Sequence, residues 1–124
     1  MKTTDFAINK VYSLLSGAVI VPVHKLTKPT KEADPEYIVI NALPISEGVL
    51  QKCRVNVNFH VRDKAPGIPD VEKLESGTAT LMNILQTVSE TGILIDFESQ
   101  EYHRESPLNE HYSNIRLSVN IINN

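Results

Sequence analysis

The clearest pattern in the chain is a strict alternation of apolar and polar residues between Lys52 and Arg62. The apolar positions are Cys53, Val55, Val57, Phe59 and Val61, and the polar positions are Lys52, Arg54, Asn56, Asn58, His60 and Arg62. Successive side chains of a β-strand point to opposite faces of its sheet. The pattern therefore predicts a strand with one face on a hydrophobic core and the other face in water.

Four other segments have the composition of strands, at residues 18–26, 37–42, 93–102 and 115–121. Pro22 lies in the first of them, and because proline cannot donate to a strand ladder, this strand is expected at an edge or a bulge. The second is apolar at nearly every position, which predicts burial on both faces for part of its length. The polar segment 104–110 is typical of a hairpin tip, so the last two strands are expected to form a long arm that extends past the core.

Two segments repeat apolar residues at helical spacing. In residues 3–17 the apolar positions are Ile8, Val11, Tyr12 and Leu15, and Gly17 supplies a C-terminal stop. A longer helix of about twenty residues is predicted between Asp70, which suits an N-cap, and Gly92. Its repeating positions are Val71, Leu74, Thr78, Leu81, Met82, Leu85 and Val88. Gly77 within it indicates close packing, since glycine there costs about 1 kcal/mol relative to alanine.

The order of these elements, helix, three strands, helix and two strands, predicts the fold class. We expect one α+β domain over residues 1–124, in which two helices cover one face of a largely antiparallel five-stranded sheet. The polar, proline-containing segment 27–35 is expected to be mobile. A chain of 124 residues, 41% of them hydrophobic, can bury a core without disulfide or metal support.

Composition narrows the classes of function. The net charge of -3 gives no general attraction to a polyanion, so nucleic acid is not an expected partner. No apolar run approaches the roughly 20 residues that cross a bilayer, and the start of the chain does not resemble a secretory signal. We therefore expect a soluble, unprocessed protein with no membrane partner. The single cysteine, Cys53, excludes an internal disulfide and fits a reducing compartment.

Few residues suggest a reaction. The chain lacks glycine-rich phosphate-binding loops, a nucleophile elbow and the paired histidines of a helical zinc site. Its four histidines, His24, His60, His103 and His111, fall on different segments, and His60 is expected to be solvated. Cys53 is in phase with the core positions, where its thiol would be inert. Asp96 and Glu98 could form a pair of carboxylates for acid–base catalysis, but the pattern favours charged side chains on the outer, solvated face. We expect neither a cofactor nor a catalytic residue.

Basic side chains form a stripe along the polar face of the alternating strand. The stripe consists of Lys52, Arg54, His60 and Arg62, and Arg116 of the fifth strand could join it. Two interpretations stay open, an ordinary charged face or a complement to acidic residues of a neighbouring subunit. Asparagine is also frequent on the outer faces, and such a face can be buried against another protein if every amide is paired.

Four short segments carry a resemblance to a known family. They are VYSLLS at 11–16, VIVPV at 19–23, PEYIVI at 35–40 and the alternating VNVNFHV at 55–61. In this order and spacing the chain resembles the small tail-completion or tail-terminator proteins, the head–tail joining proteins of long-tailed bacteriophages and prophages. The resemblance spans most of the chain.

This resemblance implies a structural protein and not an enzyme. Such proteins form a ring, typically hexameric, that caps the tail tube, stops its growth and offers a surface to the head connector. The implied partners are copies of the chain itself, the tail tube and the connector, and the implied location is the virion or the host bacterial cytoplasm. The residues expected to make these contacts are Lys28, Lys31, Arg54, His60, Arg62, Arg104, Glu105 and Arg116.

Two alternatives from other classes stay open. One is a small α+β domain that is either a metal- or ligand-binding protein or an enzyme. Its site would be formed by His60, His103 and either Asp96 or Glu98. The other is an adaptor that accepts a strand from a partner at the edge containing Pro22.

Overall fold

Two helices and five strands follow one another in the order that the sequence predicts. The computed structural model describes residues 4–28, 35–46, 50–86 and 92–122. The elements are α1 (Thr4–Ser16), β1 (Val23–Lys25), β2 (Glu36–Ser46), β3 (Leu50–Arg62), α2 (Val71–Gln86), β4 (Ile93–Glu105), a short 3-10 turn (Ser106–Leu108) and β5 (Glu110–Ile122). The fold is α+β, as predicted. Neither of the described helices is long and apolar enough to cross a membrane.

The strands form one open sheet in the order β1-β2-β3-β5-β4. β1 and β2 run parallel, and the other neighbours are antiparallel. β5 pairs with β3 from Leu50 opposite Ile122 to Arg62 opposite Glu110. The expectation that the last two strands extend past the core as an arm is therefore wrong, because β5 lies inside the sheet and is bonded on both sides.

The core lies between the sheet and the two helices. The alternation along β3 is confirmed, since Cys53, Val55, Val57, Phe59 and Val61 are all buried. They pack with Ile115, Leu117, Val119 and Ile121 of β5, with Ile8, Val11 and Leu15 of α1, and with Leu74, Leu81 and Leu85 of α2. Both helices therefore cover the same face of the sheet. Burial also raises the pKa of the Cys53 thiol, as expected for a structural cysteine.

The first strand is much shorter than predicted. The sequence predicts residues 18–26, but only Val23–Lys25 are paired with β2. The backbone N–H groups of Ala18 and Val19 both donate to the carbonyl of Leu15, at 3.0 Å and 3.0 Å, so this stretch continues the helix end as a turn. Leu26 adopts a left-handed φ of 72°, which ends the strand. β1 does lie at an edge of the sheet, as the proline before it predicts.

The other strands are longer than predicted. β2 continues to Ser46, β4 to Glu105, and β5 begins at Glu110. The hairpin tip accordingly shrinks to four residues, and Asn109 in it has a φ of 52°, a conformation that asparagine tolerates better than most residues. Residues 29–34 of the segment 27–35 that is predicted to be mobile, and residues 87–91, which lead to the predicted end of the second helix at Gly92, lie outside the described residues.

The start of α2 follows the predicted capping pattern. The backbone N–H of Lys73 donates to Oδ1 of Asp70 at 3.3 Å, so Asp70 is the N-cap. Val71, which the periodicity places on the apolar face, is instead exposed at the first helical position. The expectation for Gly77 is confirmed, because a β-carbon there would lie 2.5 Å from Cζ of the buried Phe59 ring.

We expect Gly77→Ala to destabilise the protein, although alanine is the better helix former. Replacing glycine by alanine inside a helix stabilises it by about 1 kcal/mol. Forcing the added methyl group against the packed ring of Phe59 typically costs about 1–3 kcal/mol. Urea unfolding should show a net loss for Gly77→Ala in the native chain, and a smaller loss or a gain when the same change is made in Phe59→Leu and compared with Phe59→Leu alone. Gly17→Ala is the control, since no atom lies within 4 Å of its β-carbon. An increase in stability for Gly77→Ala alone would contradict the close contact.

Candidate functional site

The polar face of the sheet, opposite the helices, holds a row of rings to which every strand contributes one. The rings belong to His24 of β1, Tyr37 of β2, His60 of β3, Tyr112 of β5 and His103 of β4, and we call them the ring ladder. Neighbouring ring centres are 6.3, 4.5, 4.8 and 5.1 Å apart, and the last three pairs are stacked. Cross-strand ring pairs of this kind each contribute roughly 0.2–1 kcal/mol.

Strand register is what assembles the ring ladder. Tyr37 lies directly opposite His60, His60 opposite Tyr112, and Tyr112 opposite His103. The expectation that His60 is solvated is wrong, because its side chain is only 13% exposed. It is covered on both sides by the neighbouring tyrosine rings.

A buried carboxylate lies beside the middle of the ring ladder. Glu110, at the start of β5, is 7% exposed. Its Oε1 accepts the Tyr37 hydroxyl at 2.6 Å, and Nδ1 of His60 lies 3.3 Å from the same oxygen. Burial, reinforced by Glu110 and Glu105, raises the pKa of Tyr37, so its hydroxyl remains a donor. The two donors offset the cost of removing the carboxylate from water.

The His60 ring is neutral at neutral pH. Burial lowers its pKa from the ordinary 6.5, and Lys28 acts in the same direction, whereas Glu110 and Glu105 oppose it. A neutral imidazole has one N–H, and the position of Glu110 favours its being on Nδ1. His60 is thus a hydrogen-bond donor to Glu110 more than a charge on the surface.

A groove of about 470 Å³ opens above this part of the ring ladder. The segment Leu26 to Lys28 forms one side, and Glu105 and Leu108 form the other. Nζ of Lys28 lies 4.6 Å from the centre of the Tyr37 ring. The residues on the two sides of the groove cover Tyr37 and Val39, which are therefore buried although they lie on the polar face. The prediction that β2 is covered on both faces is therefore confirmed for its first half.

Further along the polar face, the amide side chains bind one another. Asn56 donates to Asn41 at 2.9 Å, and Asn114 donates to Asn58 at 2.7 Å and to Asn56 at 3.3 Å. Nε of Arg116 also donates to Oδ1 of Asn56, at 3.2 Å. Amides on four adjacent positions of three strands are thus paired within the chain, which is the condition for covering such a face with another protein.

The basic stripe has acidic and polar partners within the molecule. Nε of Arg54 lies 3.1 Å from a carboxylate oxygen of Glu98, which lies at a bulge of β4 between Phe97 and Ser99. Asp96 accepts a hydrogen bond from Asn120 at 3.2 Å. Asp96 and Glu98 are exposed, as expected of outer-face charges. The stripe is therefore interrupted by paired groups and does not form a uniform positive patch.

The remaining expected contact residues lie in different places. Lys28 and Glu105 border the groove, and Arg62 ends β3 opposite Glu110. Arg104 points to the helix side, where its guanidinium lies 3.2 Å from the position of a β-carbon on Gly67. Lys31 lies outside the described residues.

One polar cluster on the helix side is not predicted from the sequence. Oδ1 of Asp63 lies 2.6 Å from Nδ1 of His111, and Oδ2 accepts the backbone N–H of Gly67 at 3.1 Å. The side chain of Asp63 is 1% exposed. Gly67 has a φ of 79°, which only glycine adopts without strain, so the carboxylate fixes the turn between β3 and α2.

The residues of the alternative metal site do not converge. Tyr112 lies between His60 and His103 in the ring ladder, and Asp96 lies beside Asn120 toward the other end of β4. In residues 4–28, 35–46, 50–86 and 92–122, no three histidine, cysteine or acidic side chains are grouped so that they could hold a metal ion.

Comparison with known proteins gives no family. No protein-family model matches the chain, and no curated protein matches it either.

We expect Tyr37→Phe to lower the free energy of unfolding by about 2 kcal/mol, because a hydrogen bond to a buried charged group is lost while the charge stays buried. Chemical denaturation measures the change. Tyr102→Phe is the matched control, since that tyrosine is half exposed and its change should stay within about 0.5 kcal/mol. Equal effects at the two positions would contradict the role of the Glu110 contact.

The lowered pKa of His60 predicts a loss of stability in mild acid. The unfolded chain takes up this proton first as the pH falls below 6.5, so stability is complete above that value and declines below it. We expect His60→Phe, which keeps a ring in the ladder, to reduce the difference in unfolding free energy between pH 7.5 and pH 5.5. His103→Phe, at a more exposed ring, should leave the difference unchanged. An unchanged difference in His60→Phe would show that another group causes the decline.

Proposed function

We propose that this protein is a structural assembly protein of a phage or prophage. Copies of the chain form a ring that caps the tail tube and joins it to the head connector. The observation that carries the proposal is the edge strand β4, which spans Ile93–Glu105. Within the part of the chain that the structure describes, its sole neighbour in the sheet is β5.

A strand edge of this length is a template for another chain. Unpaired N–H and C=O groups along an edge pair readily with a second strand, and monomeric proteins blunt such edges by shortening, bulging or covering them. The bulge of β4 lies between Phe97 and Ser99, and from Ser99 to Glu105 the register with β5 is unbroken. The four residues Glu101 to Arg104 are exposed on both faces of the strand. This half of the edge therefore suits pairing with a partner.

The two unlike borders of the sheet offer the kind of contact from which rings are built. One border is the long β4 and the other is the three-residue β1, so the surfaces differ. A contact between unlike surfaces repeats from copy to copy, and it closes into a ring when the rotation permits. The paired amides of the polar face add support, since each already has a hydrogen-bond partner within the chain, which lowers the cost of covering them with a neighbour.

We expect purified protein to form closed particles of several chains. Native mass spectrometry across concentration gives the copy number, and negative-stain electron microscopy with purified tail tubes shows whether the particles sit at tube ends. A protein that remains monomeric at all concentrations and also fails to bind tube ends would contradict the proposal. Tubes without added protein are the control for ring-like tube ends.

The groove beside His60 favours a second function, the binding of a small ligand. A ligand that binds only the folded state raises the melting temperature. Zn²⁺ is the probe for the metal-binding form of this alternative, which predicts a rise that disappears in His60→Ala. The assembly proposal predicts no Zn²⁺-dependent shift in either protein.

A further inference from the structure

We propose that β4 of one copy pairs in antiparallel fashion with β1 of the next copy, so that the sheet continues from chain to chain around the ring. This inference depends on the proposed self-assembly and names the surfaces that perform it. Its partner is therefore a second copy of this chain. Three observations support it, the strand directions, the charges at the two borders and the ends of the ring ladder.

The strand directions determine how the two borders can meet. β2 runs parallel to β1, and each further step across the sheet, to β3, β5 and β4, reverses the direction. β4 therefore runs opposite to β1. When a rotation carries one copy to the next and the sheet continues, β4 and the neighbouring β1 are antiparallel, the arrangement with the better hydrogen-bond geometry.

The charges at the borders are complementary. The half of β4 that would face this border, Ser99 to Glu105, contains the acidic residues Glu101 and Glu105 against one arginine, Arg104. The stretch 23–28 at the opposite border contains His24, Lys25 and Lys28 and no acidic residue. Opposite charges across an interface orient the partners and favour the correct pair. Two copies of β4 placed against each other would instead oppose acidic residues, which destabilises a strand pair.

The ring ladder suggests the register. It ends in His103 at the β4 border and in His24 at the β1 border. Placing His103 opposite His24 of the next copy continues the ladder without a break. In the same antiparallel register Tyr102 lies opposite Lys25 on the helix side, where Lys25 already lies near the Tyr12 ring at 5.1 Å and donates to Asn9 at 3.1 Å.

Disulfide trapping tests this register directly. Residues opposite each other in an antiparallel pair have Cα atoms roughly 4.5–5.5 Å apart, a distance that a disulfide spans. We expect a chain carrying both Tyr102→Cys and Lys25→Cys to give, on mild oxidation, a series of covalent multimers up to the full ring. A link within one chain is excluded, because the two positions lie on opposite borders of the same sheet.

The controls separate the possible outcomes. The native chain, whose Cys53 is buried, and each single variant should give no multimers. Arg104→Cys combined with Lys25→Cys, shifted by two residues, should cross-link at most weakly, because diagonal neighbours lie roughly 7–8 Å apart. Disulfide-linked dimers of the Tyr102→Cys single variant would indicate a β4–β4 contact and overturn the inference.

The same experiment distinguishes the inference from the proposed function. If native mass spectrometry finds rings and the paired variant does not cross-link, the β4–β1 contact is wrong while the assembly function stands. If neither rings nor cross-links form and the protein also fails to bind tube ends, both proposals fail. Rings together with a multimer series that requires both cysteines would support both.

Discussion

This structure depends on the register of β3, because one face of the strand packs in the hydrophobic core and the other face belongs to the polar side of the sheet. One face contributes Val55 and Val57 to the core beneath the helices, and the other contributes Asn56 and His60 to the polar network. A slip of one residue would exchange the two faces completely. The hydrophobic core and the polar face therefore specify the same register, each by its own chemistry, and the neighbouring strands are aligned by it.

The polar face is built with more order than a solvated surface requires. Glu110 is buried, and its contacts with Tyr37 and His60 cross three strands. Leaving a buried charge without its partners is strongly unfavourable, whereas the paired arrangement is tolerated. The hydrogen bonds from Asn56 to Asn41 and from Asn114 to Asn56 and Asn58 continue the same principle along the sheet. A rigid face of this kind loses little conformational entropy when a neighbour covers it.

The features that the sequence predicts well are those set by local periodicity. The alternation in β3 and the capping of α2 by Asp70 are visible in a single segment, and both agree with the structure. The sequence predicts too long a β1 because two competing local preferences meet there. The strand propensity of residues 19–21 is overridden by backbone hydrogen bonds to Leu15, which extend the end of α1 as a turn.

The candidate site was harder to predict because it is made by pairing between distant segments. Tyr37 and Glu110 are 73 residues apart, and nothing near either one indicates the other. His60 has polar neighbours on its own strand, which favours solvation, but the rings that cover it come from β2 and β5. A signal was present in the chain, since tyrosine and histidine occur on several strands, yet it becomes informative only when the strand order and register are known.

The pairing of β3 with β5 affects how the chain folds. The pairs β2–β3 and β4–β5 each join strands that are consecutive in the chain. The seam between these two hairpins is the pair β3–β5, in which Leu50 lies opposite Ile122 although α2 and β4 separate them in the sequence. Closing such a long loop has an entropic cost before any contact offsets it, and domains dominated by non-local strand pairs fold slowly. Until the seam closes, β3 and β5 each have an unpaired backbone edge and an apolar face without its full core, so incompletely folded chains are prone to aggregate at high concentration.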